Sequence, residues 1–336
     1  MKEAIAPTSQ RADCFVAHLA GVPRSQALQY IKAGLVCIND RACTKGGVVL
    51  KSGDCVRVLS PKCPTPPLIP PPDLDIACLY EDEDILVLNK PPHLATHPAP
   101  SLKEATLVEY LQAKGYALSN LGGVGRCGIV HRLDKQTSGA LVIAKNNASH
   151  AHLSAQLANR QMGRFYVALI EGRLRAQMCV ECRLGRHPKN RLKMANLDAL
   201  KAKGGKPSKS VFIPLVEGRA HQLIGARLHS GRTHQVRVHL QSVGRYILGD
   251  TLYGRKDSPI ARTMLHAYLL YLIHPKKGQA LLFKAKLLDD MVECAHKLFQ
   301  GVDWHGCLQE DMFLGRFGIA ISELRYPQKE QHSLLC

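Results

Sequence analysis

Seven prolines fall between residues 61 and 72, at positions 61, 64, 66, 67, 70, 71 and 72. Proline lacks an amide hydrogen and has a locked φ, so this stretch can be neither helix interior nor central strand. It reads as a stiff, extended connector. The 336-residue chain then divides into a small unit, residues 10–60, a linker, residues 61–74, and a larger unit, residues 75–298. Residues 299–336 show no pattern that assigns them a role.

Apolar residues make up 46% of the chain, enough for a sizeable core. Lys and Arg number 45 against 27 Asp and Glu, a formal charge of +18. Folding does not require such a surplus. It creates a field that attracts a polyanion, with nucleic acid foremost and an acidic lipid surface as the other reading. The opening residues Met1–Ala6 contain no apolar signal region. No apolar run approaches the ~18 residues needed to span a bilayer. A cytoplasmic protein without membrane contact is expected. The twelve cysteines are scattered and read as reduced and packed. Cys179 and Cys182 have the spacing of a metal knuckle, but in a strand-like stretch positions three apart face opposite sides. No metal site is expected.

In the small unit, Phe15 and Leu19 stand four apart and predict a helix over residues 11–19. Ser25 can cap a second helix with Ala27, Leu28, Tyr30 and Ile31, ended by Gly34. Strands are expected at 35–38, 48–50 and 56–58, with turns at Asn39-Asp40 and Ser52-Gly53-Asp54. Arg11, Arg24, Lys32, Arg41 and Lys45 fall on the edges of the unit. The order of elements and the stretches 23–27, 31–39 and 53–58 resemble the S4-like (αL) RNA-binding domain. The resemblance implies that Arg24 and Lys32 face structured RNA.

In the larger unit, short apolar strands are expected at 85–88, 141–144 and 165–170, with a helix carrying Leu153 and Leu157. Val236, Val238 and Leu240 alternate with basic side chains in a further stretch. Short strands, few helices and no regular β–α alternation argue an α+β fold with a mostly antiparallel sheet. The sharpest local feature is residues 128–141, GIVHRLDKQTSGAL. Two apolar flanks enclose a polar loop with one carboxylate, Asp134, among His131, Arg132 and Lys135. A carboxylate among cations has its charged form favoured, and one held in position can act as nucleophile or base. The same pattern also suits an Asp that only ties the loop together.

The string 128–141 closely resembles the catalytic motif of the RluA family of pseudouridine synthases. Three more stretches resemble that family in the same order: 84–92 with His97-Pro98, 164–172, and 231–240. Residues 249–254 and 265–275 also fit. The resemblance covers residues 10 to about 295. It implies a pseudouridine synthase domain that makes pseudouridine in RNA, an isomerisation that needs no cofactor. It implies Asp134 as the catalytic carboxylate, Tyr166 stacked on the base, and Arg232 paired with Asp134. It also implies His131 and Arg132 at the substrate, with Arg132 filling the space that the flipped base vacates. Arg245-Tyr246 depart from the His-Pro common in the family, which puts a loop at the RNA face in doubt. The related RsuA family usually has Gly where His131 stands.

Residues 183–209 hold nine basic residues against one acid, Asp198. Within them, 185–194 resemble a stretch of the RluD branch, which implies Arg186 and Arg191 as RNA contacts. It also implies ribosomal RNA of the large subunit, or its precursor particle, as partner of a monomeric enzyme. A solvated hairpin is the plainer reading of the same charge. The rival function is a non-catalytic RNA-binding or ribosome-assembly factor with the same fold.

Overall fold

The computed structural model describes residues 1–22, 24–59, 74–99, 102–123 and 125–325. All of the proline-rich linker except Leu74 lies outside them.

The small unit comprises β1 (Lys2–Ile5), β2 (Gln10–Arg11), α1 (Ala12–Ala20), α2 (Arg24–Lys32), β3 (Val36–Ile38), β4 (Arg41–Ala42), β5 (Val49–Leu50) and β6 (Cys55–Val58). The expected helices and strands are there, with β1, β2 and β4 in addition, and β5 pairs with β2 in a separate two-stranded sheet. α2 begins at Arg24, which places the expected cap, Ser25, inside the helix. Residues ahead of the expected boundary contribute a strand, since β1 pairs antiparallel with β6, Lys2 opposite Val58. The four-stranded sheet runs β1-β6-β3-β4. Phe15 and Val16 of α1 and Ala27, Tyr30 and Ile31 of α2 share one core with Val36, Val56 and Val58 of the sheet. Asn39 and Asp40 sit at φ 48° and 63°. Two left-handed residues in succession make the tight turn that matches strand twist, and short polar side chains tolerate it.

The larger unit is one twisted sheet of eleven strands with helices packed on it. Its first part is β7 (Cys78–Glu81), β8 (Ile85–Lys90), α3 (Leu107–Ala113), β9 (Ser138–Ala144), α4 (Asn147–Ala158) and β10 (Gly163–Glu171). Then follow β11 (Met178–His187), β12 (Asn190–Asn196), β13 (Lys206–Glu217) and β14 (His221–Leu228). α5 (Gln235–Ser242), β15 (Tyr246–Ile247), β16 (Leu265–Ile273), β17 (Ala280–Lys284) and α6 (Asp289–Leu298) complete it. The main path is β12-β11-β13-β14-β10-β16-β9-β8-β7, with β15 beside β10 and β17 beside β16. Among the described pairings only β16 with β9 is parallel. There Gly139, at φ +116°, lies so close to Ala267 that a Cβ would stand 2.2 Å from its carbonyl oxygen. The parallel junction just beyond the Asp134 loop therefore depends on a residue without a side chain.

The basic–apolar alternation at 236–240 forms helix α5 instead of a strand. The period of two misleads because the polar members are buried as well. Arg237 reaches Asp250, and His239 Nε2 lies 2.9 Å from the Ser208 hydroxyl.

The C-terminal segment, for which the sequence predicts nothing, closes the back of the sheet. Trp304, Phe313 and Leu314 are fully buried in the main core. Trp304 precedes α7 (Glu310–Gly315), which carries Phe313 and Leu314 and is followed by α8 (Ile321–Arg325). Phe313 meets Phe165 and Tyr268 edge-on, with ring centroids 6.4 and 5.2 Å away.

Cys179 is exposed and Cys182 buried, the opposite facing that a strand imposes. Cys14, Cys37, Cys43, Cys55, Cys78, Cys179, Cys182, Cys294 and Cys307 are free. No described helix is long and apolar enough to cross a membrane.

Candidate active site

The loop between Cys127 and β9 is fastened at both flanks. Ile129 bridges to Ile143 of β9. His131 Nε2 accepts the Val142 amide at 3.2 Å. The Thr96 hydroxyl donates to the Leu133 carbonyl at 2.8 Å. Lys90, fully buried, donates to the carbonyls of Pro91 and Leu94. At the tip, the Thr137 amide donates to the Asp134 carbonyl at 3.0 Å. Each anchor removes a way for the loop to move, so Asp134 is presented from rigid strands.

Asp134 opens into a cleft of about 700 Å³ that also holds Tyr166, Arg164, Arg132, Arg232, His234 and Arg237. Its side chain is 16% exposed, and its Oδ2 lies 3.3 Å from Arg237 Nη1. Arg237 is itself locked. Its Nε and Nη2 donate to the two oxygens of Asp250 at 2.7 and 2.8 Å. Its guanidinium carbon lies 4.8 Å above the ring of Tyr253. Asp250, 2% exposed, also accepts the amides of Leu252 and Tyr253. The fork that grips Asp250 leaves one N–H aimed at Asp134.

The expected pairing of Arg232 with Asp134 is thereby corrected. Arg232 lines the same cleft, but its Nε donates to the Pro207 carbonyl at 3.2 Å. The reason is local. His234, at φ 56°, stands in the left-handed region at the start of α5 and turns the chain there. Arg232 stays on the loop before this turn, and Arg237 enters on the buried side of the helix. Sequence reasoning missed Arg237, although it lies inside the stretch 231–240. Two further groups around Asp134 were also missed. His234 Nε2 lies 3.9 Å from Asp134. Its Nδ1 meets the Tyr253 hydroxyl at 2.8 Å, and that hydroxyl already accepts the Met194 amide.

Tyr166 sits in the middle of β10, between Ala226 of β14 and Ala267 of β16. Burial pushes its pKa up to about 12, while the nearby Arg164 charge acts in the opposite direction. Its hydroxyl is a neutral donor at ordinary pH.

The sequence-predicted substrate contacts fall into three groups. His131 lines the cleft, but one ring nitrogen is taken by Val142, and burial holds the ring neutral with a pKa of about 3. It serves first to support the loop. Arg132 is exposed beside it, with Nη1 3.2 Å from His97 Nε2. Arg186 and Arg191 lie in the β11–β12 hairpin and do not line the cleft; Arg186 Nη1 donates to the Arg191 carbonyl. Arg24 and Lys32 belong to the small unit. Arg24 is half exposed and shares Asp13 with Arg11, both at 3.0 Å. Lys32 is exposed.

Asp82, Asp84 and His274 form a cluster of possible metal ligands. Asp82 Oδ2 already receives His274 at 2.7 Å, the Tyr80 hydroxyl at 2.8 Å and the Lys277 ammonium at 3.0 Å. These bonds satisfy the carboxylate without an ion.

A clamped carboxylate in a cleft rimmed by exposed Arg126, Arg132 and Arg160 fits an enzyme acting on nucleic acid. Residues 84–242 match the RNA pseudouridylate synthase family. An uncharacterised RNA pseudouridine synthase of Helicobacter pylori is 48% identical over 313 residues, covering 92% of this chain and 96% of the relative. Ribosomal large subunit pseudouridine synthase D of Zymomonas mobilis is 40% identical over 253 residues, covering 72% and 78%. The fold is also that of human RNA pseudouridylate synthase domain containing 4. That similarity has a TM-score of 0.53 at 21% identity, over 66% of this chain and 92% of the human one. The chain belongs to the RNA pseudouridine synthase family, as an isomerase acting on RNA.

Proposed function

We propose that this chain makes pseudouridine in large-subunit ribosomal RNA. The observation that carries the chemistry is Asp134, tied to a rigid loop and oriented by Arg237. The target assignment rests on relatives named ribosomal large subunit pseudouridine synthase D from Zymomonas mobilis, Nitrosomonas europaea and Neisseria meningitidis.

In this reading Asp134 is the catalytic carboxylate. It attacks the ribose at C1′ or accepts a ribose proton, and either role requires the carboxylate to be oriented, as Arg237 orients it. Tyr166 lies flat against the base. The target uridine must leave its stack to reach Asp134, at a cost of a few kcal/mol, and exposed Arg132 is placed to fill the gap. Arg232 becomes an RNA contact on the cleft wall. The small unit, with Arg24 and Lys32, and the hairpin, with Arg186 and Arg191, hold the RNA outside the cleft as S4-like and hairpin contacts. The enzyme works as a monomer without a cofactor.

Mapping pseudouridines in ribosomal RNA from cells with and without the gene tests this reading. Loss of specific large-subunit sites, restored by wild type and not by Asp134→Asn, is the expected result. An unchanged large-subunit map would overturn the target.

A further inference from the structure

Arg164 is a charged side chain without a charged partner. It is 8% exposed and sits on β10, and among the described residues no carboxylate comes within ion-pair distance of it. Its Nε is fully buried and has no hydrogen-bond acceptor. Burial disfavours its charge, and the nearby Arg232 adds to the effect. A guanidinium remains protonated regardless. The fold therefore bears the cost of an uncompensated buried cation, which a buried anion or a strong acceptor would offset.

Its position says where that acceptor would come from. Arg164 and Tyr166 are two residues apart on one strand, so both side chains point to the same face, and both line the Asp134 cleft. The guanidinium lies under Gly231, where an added Cβ would come 2.4 Å from Nη1. Arg126, Arg132 and Arg160, by contrast, are exposed at the cleft rim. Phosphates keep their hydration at such a rim. A cation on the floor beside Tyr166 instead meets the base.

We propose that Arg164 is a catalytic residue that donates hydrogen bonds to a carbonyl oxygen of the target uracil and stabilises the negative charge that the base acquires when it is detached. The charge follows from the electron count. When the bond between C1′ and N1 breaks, its electron pair leaves with N1, and the charge spreads to O2 and O4. The ribose carbon is then bonded to Asp134 or becomes a glycal by loss of a proton to it. The rotated base re-forms the link through C5 as the bond to Asp134 breaks or, from the glycal, as the proton returns from Asp134 to the ribose. C5 gives up its proton and N1 gains one, so nothing is oxidised or reduced. A fixed cation in a water-poor site acts most strongly where charge develops. The assignment rests on the proposed roles of Asp134 and Tyr166.

The test compares wild type, Arg164→Met and Arg164→Lys in single-turnover reactions at saturating enzyme. One RNA carries uridine at the target and a second carries 5-fluorouridine. Fluorine stabilises the base anion, so detachment needs less help from the protein. Arg164→Met is expected to lose about 10²–10³ in rate on uridine, the cost of removing one preorganised donor. The loss should be markedly smaller on 5-fluorouridine, read as disappearance of the original nucleoside. Arg164→Lys should fall between the two proteins. RNA affinity and its salt dependence should stay near wild type. The melting temperature of Arg164→Met should equal or exceed that of wild type, because an unpaired buried charge has been removed. Equal losses on both RNAs, or a lowered melting temperature, would make Arg164 structural and overturn the proposal. Weakened binding with a shallower salt dependence would make it a phosphate contact. Wild-type turnover matched by Arg164→Met would sink this assignment alone. Wild type inert on every uridine RNA offered would sink the functional reading with it.

Discussion

Arg237 spans two carboxylates: its Nε and Nη2 hold buried Asp250, and its Nη1 lies 3.3 Å from Asp134 in the cleft. The first contact fixes the guanidinium plane, and the second uses that plane to orient Asp134. On the reading proposed for Asp134, fold stability and catalysis share one side chain.

Asp134→Asn removes the charge and keeps the shape. Turnover should vanish, because one carboxylate does the covalent or proton-transfer work. RNA affinity should stay close to wild type, because many cations supply it. Measurable pseudouridine formation by purified Asp134→Asn would refute the role.

Arg237→Lys keeps the charge and loses the planar fork. A small misplacement of a reacting group costs about 10²-fold in rate, and a fall of that order at saturating enzyme is expected. Leaving Asp250 unpaired should also destabilise the fold by about 3–5 kcal/mol in Arg237→Leu. Arg232→Lys should behave differently, with weaker RNA binding and a near-normal saturated rate. A wild-type saturated rate for Arg237→Lys, with the defect found in Arg232→Lys, would restore Arg232 as the partner of Asp134.

Acid should weaken the fold before most carboxylates titrate. Burial holds His97, His150, His239 and His266 neutral with pKa values of about 4, and His131 at about 3. Unfolded histidine takes a proton near pH 6.5. Between those values the unfolded state binds more protons, so stability is full above pH 6.5 and falls as pH drops toward 4. Each histidine contributes on the order of 3–5 kcal/mol. Urea unfolding measured from pH 7.5 to 4.5 should show the decline. A flat profile between pH 6.5 and 5 would contradict it.

The small unit should supply part of the salt dependence of RNA binding. Lys32, Arg41 and Lys45 are exposed. Replacing all three by Ala should lower the slope of log affinity against log salt by up to about 2–3, since each lost phosphate contact removes roughly 0.7–0.9. Arg11 and Arg24 are poorer choices for this test, because Asp13 between them is buried and their loss would leave its charge unpaired. An unchanged slope for the triple variant would show that this face does not meet the RNA.

Much of the molecule was legible in the chain itself. The prolines at 61–72 predict a boundary because proline cannot enter a ladder, and that stretch lies outside the described residues. The runs at 85–88, 141–144 and 165–170 are strands because short apolar stretches can be buried on both faces. The loop 128–141 stands out because one carboxylate among cations is placed between two such strands. What the tertiary structure decided is which groups meet. Arg232 and Arg237 are the same residue type five positions apart, and only the left-handed turn at His234 sends one to Pro207 and the other to Asp134. Residues 299–325 show no period because Phe313 packs on Phe165 and Tyr268, far away in the chain. The unpaired state of Arg164 is equally invisible in sequence, because a missing partner is a property of the space around a side chain.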